Sequence, residues 1–210
     1  MGTYKPTAIA RQVRRSVDEL TFARVRGRNV VKTKIDENKT NSPLQLVQRT
    51  RWKHVQVLDE IFDEVILIGF PSRSVHLTSH NAFVKENANC VEVTEDLTTT
   101  IHYEEIACSK GRLRIPTATA TFDTETNALA ISHKPERYGR RCKPTDQLYA
   151  MILEKDLQEA QLSPLNTRAD DDSVIITLPA EWLSENLYIY VFALSEDGHQ
   201  ASDTTCIKAT

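Results

Sequence analysis

Glycine is scarce in this chain, six in 210 residues, and none lies in a run that could wrap a phosphate. Nucleotide-binding loops need several closely spaced glycines so that backbone N–H groups can close on the anion. Their lack removes the dinucleotide and P-loop classes. Long apolar runs are missing too: nowhere do about 18 apolar residues follow one another, as a membrane-crossing helix requires. The opening Met1-Gly-Thr-Tyr-Lys-Pro has no apolar core of the secretory type. The expectation is a chain made and kept in the cytoplasm, without a membrane partner. A virion location is also compatible, because virion components leave by lysis and need no signal.

Cys90, Cys108, Cys142 and Cys206 lie far apart with no C-x-x-C pair. Neither a zinc knuckle nor a dithiol redox motif is suggested, and four reduced, structural thiols are expected. No G-x-S-x-G surrounds a serine, and Cys108-Ser109-Lys110-Gly111 reads as a turn. Glu104 and Glu105 are adjacent, so in a strand they face opposite sides. His76 and His80 have the spacing of a helical zinc pair, but no glutamate follows His76. Asp170-Asp171-Asp172 lacks the glycine and distal glutamate of a calcium loop. No catalytic residue, metal or cofactor is assigned, and a non-enzyme is expected.

Charge is present but divided. Residues 1–53 hold 13 Lys and Arg against 4 Asp and Glu, or +9, and the remainder holds 13 against 25, or −12. The net charge of −3 therefore conceals a dipole. Separated blocks of opposite sign favour head-to-tail association of identical subunits or docking on a polyanion. The candidate contact residues are Arg11, Arg14, Arg15, Arg24, Arg26, Arg28, Lys32 and Lys34, joined by the polar helical cluster Gln45, Gln48 and Arg49. Tyr4 and Phe22 are the only aromatics before Trp52, too few for a base-stacking arm. Carboxylates on a copy of the chain, or on a neighbouring structural protein, rank ahead of nucleic acid as the partner.

Asp18 to Ile35 reads as a β-hairpin turning at Arg26-Gly27-Arg28-Asn29, with Val30-Val31 starting the return. Ser42-Pro43 is a helix start. Leu44, Val47, Arg51, Val55, Leu58, Phe62 and Val65 then recur at spacings of three and four, which predicts one long helix to about Val65. Its acidic end, Asp59, Glu60, Asp63 and Glu64, opposes the preference for cations at a helix C-terminus, a cost recovered if these carboxylates face a basic partner. Ser79 to Ala88 is a brief second helix with Phe83 inward.

The rhythm then changes to strands, around Ala118 to Phe122, Leu129 to His133, Leu148 to Leu153, Val174 to Leu178, Leu187 to Leu194 and Thr204 to Ile207. Leu148 to Leu153 is apolar on both faces, and Asp197-Gly198 marks a hairpin. Some seven strands, with Trp182 available to plug an end, suggest an immunoglobulin or fibronectin type III-like sandwich. The expected fold is mainly β with one long helix: a basic hairpin-helix assembly module over 1–99, then the sandwich over 100–210.

Several positions carry a family resemblance spanning nearly the whole chain: Gly27, Val30 and Val31; Ser42, Gln45, Gln48, Arg49 and Trp52; Ile68-Gly69-Phe70, Asn81, Phe83 and Asn87; Ser109, Gly111 and Leu113; Asp146, Asp197-Gly198 and Ser202-Asp203. The chain resembles an uncharacterised domain family of about 200 residues common in Bacteroidetes and found in some of their phages and prophage-like regions. His133 stands where that family usually has an aromatic residue. The resemblance implies the fold and transfers no activity.

These readings make the leading expectation a non-catalytic structural subunit of a phage-like virion (head, tail or connector) or of a tubular appendage, forming a homo-oligomer or binding neighbouring structural proteins. A second reading is an adhesion module whose sandwich-end loops, Lys134 to Thr145 and Asn166 to Ser173, capture a glycan or a protein. A third is a nucleic-acid binder acting through the basic amino end.

Overall fold

The computed structural model describes residues 2–3, 15–34, 42–136 and 138–209. The chain divides into two compact units, Met1–Gln45 and Leu46–Thr210.

In the first unit, β1 (Gly2–Thr3), β2 (Arg15–Val17), β3 (Leu20–Val25) and β4 (Arg28–Thr33) form an antiparallel sheet in the order β1-β4-β3-β2. The expected hairpin is its centre, but the turn is tighter than the sequence suggests. Val25 pairs with Arg28, leaving only Arg26 and Gly27 between the strands. Their φ values, 49° and 79°, are both left-handed, as a two-residue I′ turn demands, and glycine supplies the second at little cost. This turn matches the right-handed twist of the strands it joins.

The first long helix, α1 (Pro43–Ile61), opens on a capping box. Ser42 Oγ accepts from Gln45 N, and Gln45 Oε1 accepts from Ser42 N, both at 3.4 Å. The expected single helix to Val65 is interrupted at Phe62, whose φ of −95° and ψ of 14° leave helical geometry before α2 (Asp63–Gly69) begins. The Phe62 ring is in the core, 5.7 Å from Phe83 and edge-on to Tyr190 at 5.6 Å. The interruption reverses the electrostatic reading for half of the acidic stretch, while Asp59 and Glu60 stay in the last turn of α1. Asp63 and Glu64 occupy the first turn of α2, where the helix dipole favours carboxylates. Thr78 caps α3 (Ser79–Asn87), its Oγ1 accepting from Asn81 N at 3.1 Å. Thr78→Ala is expected to cost about 1 kcal/mol, read as a lowered urea midpoint with an unchanged slope.

Two short strands, β5 (Val91–Val93) and β6 (Thr99–Ile101), pair after the helices. Seven more follow: β7 (Ala118–Asp123), β8 (Ala128–His133), β9 (Gln147–Glu154), β10 (Glu159–Thr167), β11 (Val174–Thr177), β12 (Leu187–Leu194) and β13 (Thr205–Ile207). They form a three-stranded sheet, β11-β8-β7, and a four-stranded sheet, β10-β9-β12-β13. The strand that the sequence pattern does not single out is β10, which carries Pro164 and an irregularity between Pro164 and Thr167. Proline is tolerated because β10 is a sheet edge.

The four-stranded sheet is covered on both faces. Leu148, Ala150 and Ile152 of β9 and Ile189, Val191 and Ala193 of β12 meet Leu129, Ile131, Ile176 and Trp182 in one apolar cluster. Met151 and Leu153, with Tyr190 and Phe192, meet Val55, Phe62, Ile66 and Phe83 of the helices in another. That is why both central strands read as apolar without alternation. It also places α1, α2 and α3 against the sheet in one core.

Candidate functional site

Arg11 and Arg14 lie outside the described residues. Arg15, Arg24, Arg26, Arg28, Lys32 and Lys34 are all exposed, but the register distributes them. Cross-strand partners share a face, so Phe22, Val31 and Arg15 lie together, with Arg24 one step along β3. Arg28 and Lys32 belong to the opposite face, beside Val25 and Thr21, and Arg26 is in the turn. The cations therefore make a positive sheet charged on both faces rather than a single stripe. Phe22 and Val31 are half-buried and Val30 is buried, while Leu20 and Val25 are exposed.

The expected cluster of Gln45, Gln48 and Arg49 is separated by role. Gln45 closes the capping box, while Gln48 and Arg49 are exposed on α1. His76 precedes α3, so it shares no helix with His80. His80 instead places Nδ1 3.0 Å from Asp59 Oδ2 and Nε2 3.5 Å from Asp63 Oδ1, tying α3 to the α1–α2 junction. Among the described residues no group of three His, Cys, Asp or Glu could hold a metal ion. Asp170 accepts from Thr167 N at 3.0 Å and Thr167 Oγ1 at 2.8 Å, which makes the aspartate run a closed turn.

Sequence reasoning missed the most heavily engaged polar group. Arg168 follows β10 and is 1% exposed. Its Nη1 donates to Glu136 Oε2 at 2.6 Å and its Nη2 to Arg114 O at 2.6 Å, while Nε lies 3.4 Å from Asp146 Oδ2. Asp146 is fully buried and accepts from Lys143 N at 2.9 Å. Cys142 Sγ points at Glu136, and burial, more than any neighbouring charge, raises its pKa. This cluster pins the loops 134–146 and 168–173 to one another. They are the loops the adhesion reading would use, and their centre is a closed brace. The one signal in the sequence was an arginine and an aspartate each abutting an apolar strand. His133, also buried, has Nε2 without a hydrogen-bond partner among the described residues.

A second polar brace runs along the helical side. Asn87, fully buried, donates through Nδ2 to Phe83 O and Ala107 O and accepts from Ala107 N at 2.7 Å. Ser109 N donates to Thr204 Oγ1 at 2.8 Å, and Ser109 Oγ to Ser202 O at 2.9 Å. Burial, reinforced by Glu105, pushes the Cys90 thiol up to about 11, and burial pushes Cys206 to about 11 and Cys108 well up. Thiols held protonated at neutral pH are weak nucleophiles. A cleft of about 210 Å³ beside α3 is lined by Phe70, Arg73, Leu77, Lys85, Glu86 and Lys110. Two of its cations are engaged, Arg73 with the carbonyls of Phe70 and Leu77 and Lys110 with Glu86 and Asp203.

Residues 9–207 match a family of unknown function (DUF6266). The chain belongs to that family. DUF6266 thus reaches into both compact units, and five of the positions that carried the resemblance lie in the braces: Asn87, Ser109, Asp146, Ser202 and Asp203 all hold backbone in place. No curated protein and no solved structure matches this DUF6266 chain. No helix of the described residues is long and apolar enough to cross a membrane.

Proposed function

We propose that this chain is a non-catalytic assembly subunit, a component of a phage-like virion or tubular appendage, whose basic amino-terminal region binds carboxylates on a second copy or a neighbouring structural protein. The observation that carries the reading is the positive sheet: five exposed cations on one small sheet, on both faces and in its turn, with Lys34 just past its last strand, in a chain whose remainder is acidic. A surface charged on two sides suits insertion between acidic neighbours. The strands β7–β13 are read as an immunoglobulin or fibronectin type III-like sandwich. The first, second and fifth strands in one sheet, and the fourth, third, sixth and seventh in the other, support that reading.

Sedimentation and electron microscopy of the purified chain test it. Association that rises with concentration at about 50 mM salt and fades by about 500 mM is expected, because exposed charges are screened beyond a Debye length. The triple variant Arg24→Glu, Arg26→Glu, Arg28→Glu is expected to lose it. A monodisperse monomer at high concentration and low salt would retire the proposal, as would tight, steeply salt-dependent nucleic-acid binding without self-association.

A further inference from the structure

The face of α1 turned away from the core residues Val55, Leu58 and Phe62 carries Leu46, Arg49, Trp52, Lys53 and Gln56 at helical spacing. All five are exposed, Trp52 at 47%. An exposed indole beside an arginine is a pairing of the residue types enriched at the anchors of protein interfaces. From Pro43 to Leu58 the helix holds no carboxylate, and Glu60 joins this face only in the last turn, so the stretch around Arg49, Trp52 and Lys53 is positive as well as apolar.

At one end of the sandwich three loops meet, 123–127, 154–159 and 178–186. Asn127 Nδ2 donates to Leu178 O at 3.0 Å and to Pro179 O at 2.6 Å. Asn186 Nδ2 donates to Asp156 Oδ2 at 2.7 Å, and Trp182 Nε1 to Glu159 Oε2 at 3.1 Å. The loops therefore form one fixed platform. It exposes Asp123, Glu125, Asp156, Glu159, Glu181 and Glu185, with Lys155 the single cation in the three loops. The opposite end, loops 110–117, 134–146, 168–173 and 195–204, interleaves nine Lys and Arg with eight Asp and Glu. Elsewhere the acidic group at the α1–α2 junction already has His80 seated between Asp59 and Asp63. A positive face on one copy thus has a fixed complement at the acidic end of another.

We propose that the exposed face of α1 docks on the acidic sandwich end of a second copy of this chain, with Trp52 at the centre and Arg49 and Lys53 against its carboxylates. This rests on the assembly reading and gives it a direction. The two surfaces differ, so the contact is head-to-tail and repeats from copy to copy into a ring or filament.

Two sets of reversals on the full-length chain test it. One is Arg49→Glu with Lys53→Glu; the other is Glu125→Lys, Glu181→Lys and Glu185→Lys. Each is expected to weaken self-association at least about tenfold in sedimentation, since like charges then face each other. An equimolar mixture of the two is expected to recover wild-type association to within about threefold, because the reversed helix of one meets the reversed end of the other. Trp52 emission shifts to the blue on association, and Trp52→Phe removes that change. All the altered side chains are exposed, and an unchanged urea midpoint verifies folding. If both variants associate like wild type while the Arg24, Arg26, Arg28 triple variant does not, this docking surface is wrong and assembly through the hairpin stands. A mixture that fails to associate also overturns it. A wild-type chain that stays monomeric sinks both.

Discussion

Methionine in place of Arg168 is expected to cost about 3–5 kcal/mol of folding stability, the cost of leaving buried carboxylates without their counter-charge. With a urea slope of about 2 kcal/mol per molar, the midpoint falls by roughly 1.5–2.5 M. The guanidinium is 1% exposed and neutralises Asp146, which is fully buried, and Glu136, which is 11% exposed. It also satisfies Arg114 O, a carbonyl in the segment leading to β7. A methionine fills much of the space and replaces none of these interactions. Adding Asp146→Asn to Arg168→Met is expected to recover about half of the loss, since a neutral amide oxygen still accepts from Lys143 N without a stranded charge. If Arg168→Met unfolds with a midpoint within about 0.3 M of wild type, the cluster is solvated and the brace is misassigned.

How much of this architecture could be read beforehand follows from the range of the interactions. Local signals were legible. Ser42-Pro43 starts α1, Ser79 begins α3, Gly27 marks the hairpin and the paired sandwich strands appear near their expected positions. What failed depended on distant partners. The helix breaks at Phe62, whose ring packs on Phe83 and Tyr190, and the 3.6-residue repeat, which placed this ring inward, does not announce the break. The two-sided burial of β9 was visible as an unbroken apolar run, but that the helices supply the second cover was not. The candidate site shows the same division. Composition revealed a positive amino end, whereas pairing Val25 with Arg28 decides which cations share a face. The acidic loops were not legible as a group, because Asp123, Asp156 and Glu185 are separated in sequence by about thirty residues each and follow strands of two different sheets.

Gly111→Ala is expected to destabilise the chain by about 3 kcal/mol or more, the upper range for overpacking, because backbone rather than a flexible side chain stands in the way. A Cβ at this position would overlap the Ala201 carbonyl oxygen and lie 2.6 Å from its carbon. Ala201 is itself fully buried, and its carbonyl accepts from Leu113 N at 3.0 Å. Gly111 N donates to Asp203 Oδ1, and Ser109 and Ser202 fasten the same two segments on either side. Neither segment can retreat without breaking several of these bonds at once. On the other side of 108–111, Gly69 lies against the Cys108 carbonyl, and Lys110 N donates to Gly69 O at 3.0 Å. Three stretches of backbone, from α2, from 108–113 and from 201–204, are therefore in direct contact, and glycine is what permits two of the approaches. Gly27→Ala is the control. Its Cβ meets nothing within 4 Å, so only the left-handed φ is penalised, at about 1–2 kcal/mol. Equal losses in the two variants, measured by urea unfolding, would mean that the contact at Ala201 is relaxed and that the chain does not depend on this close packing to hold its helices to the sheets.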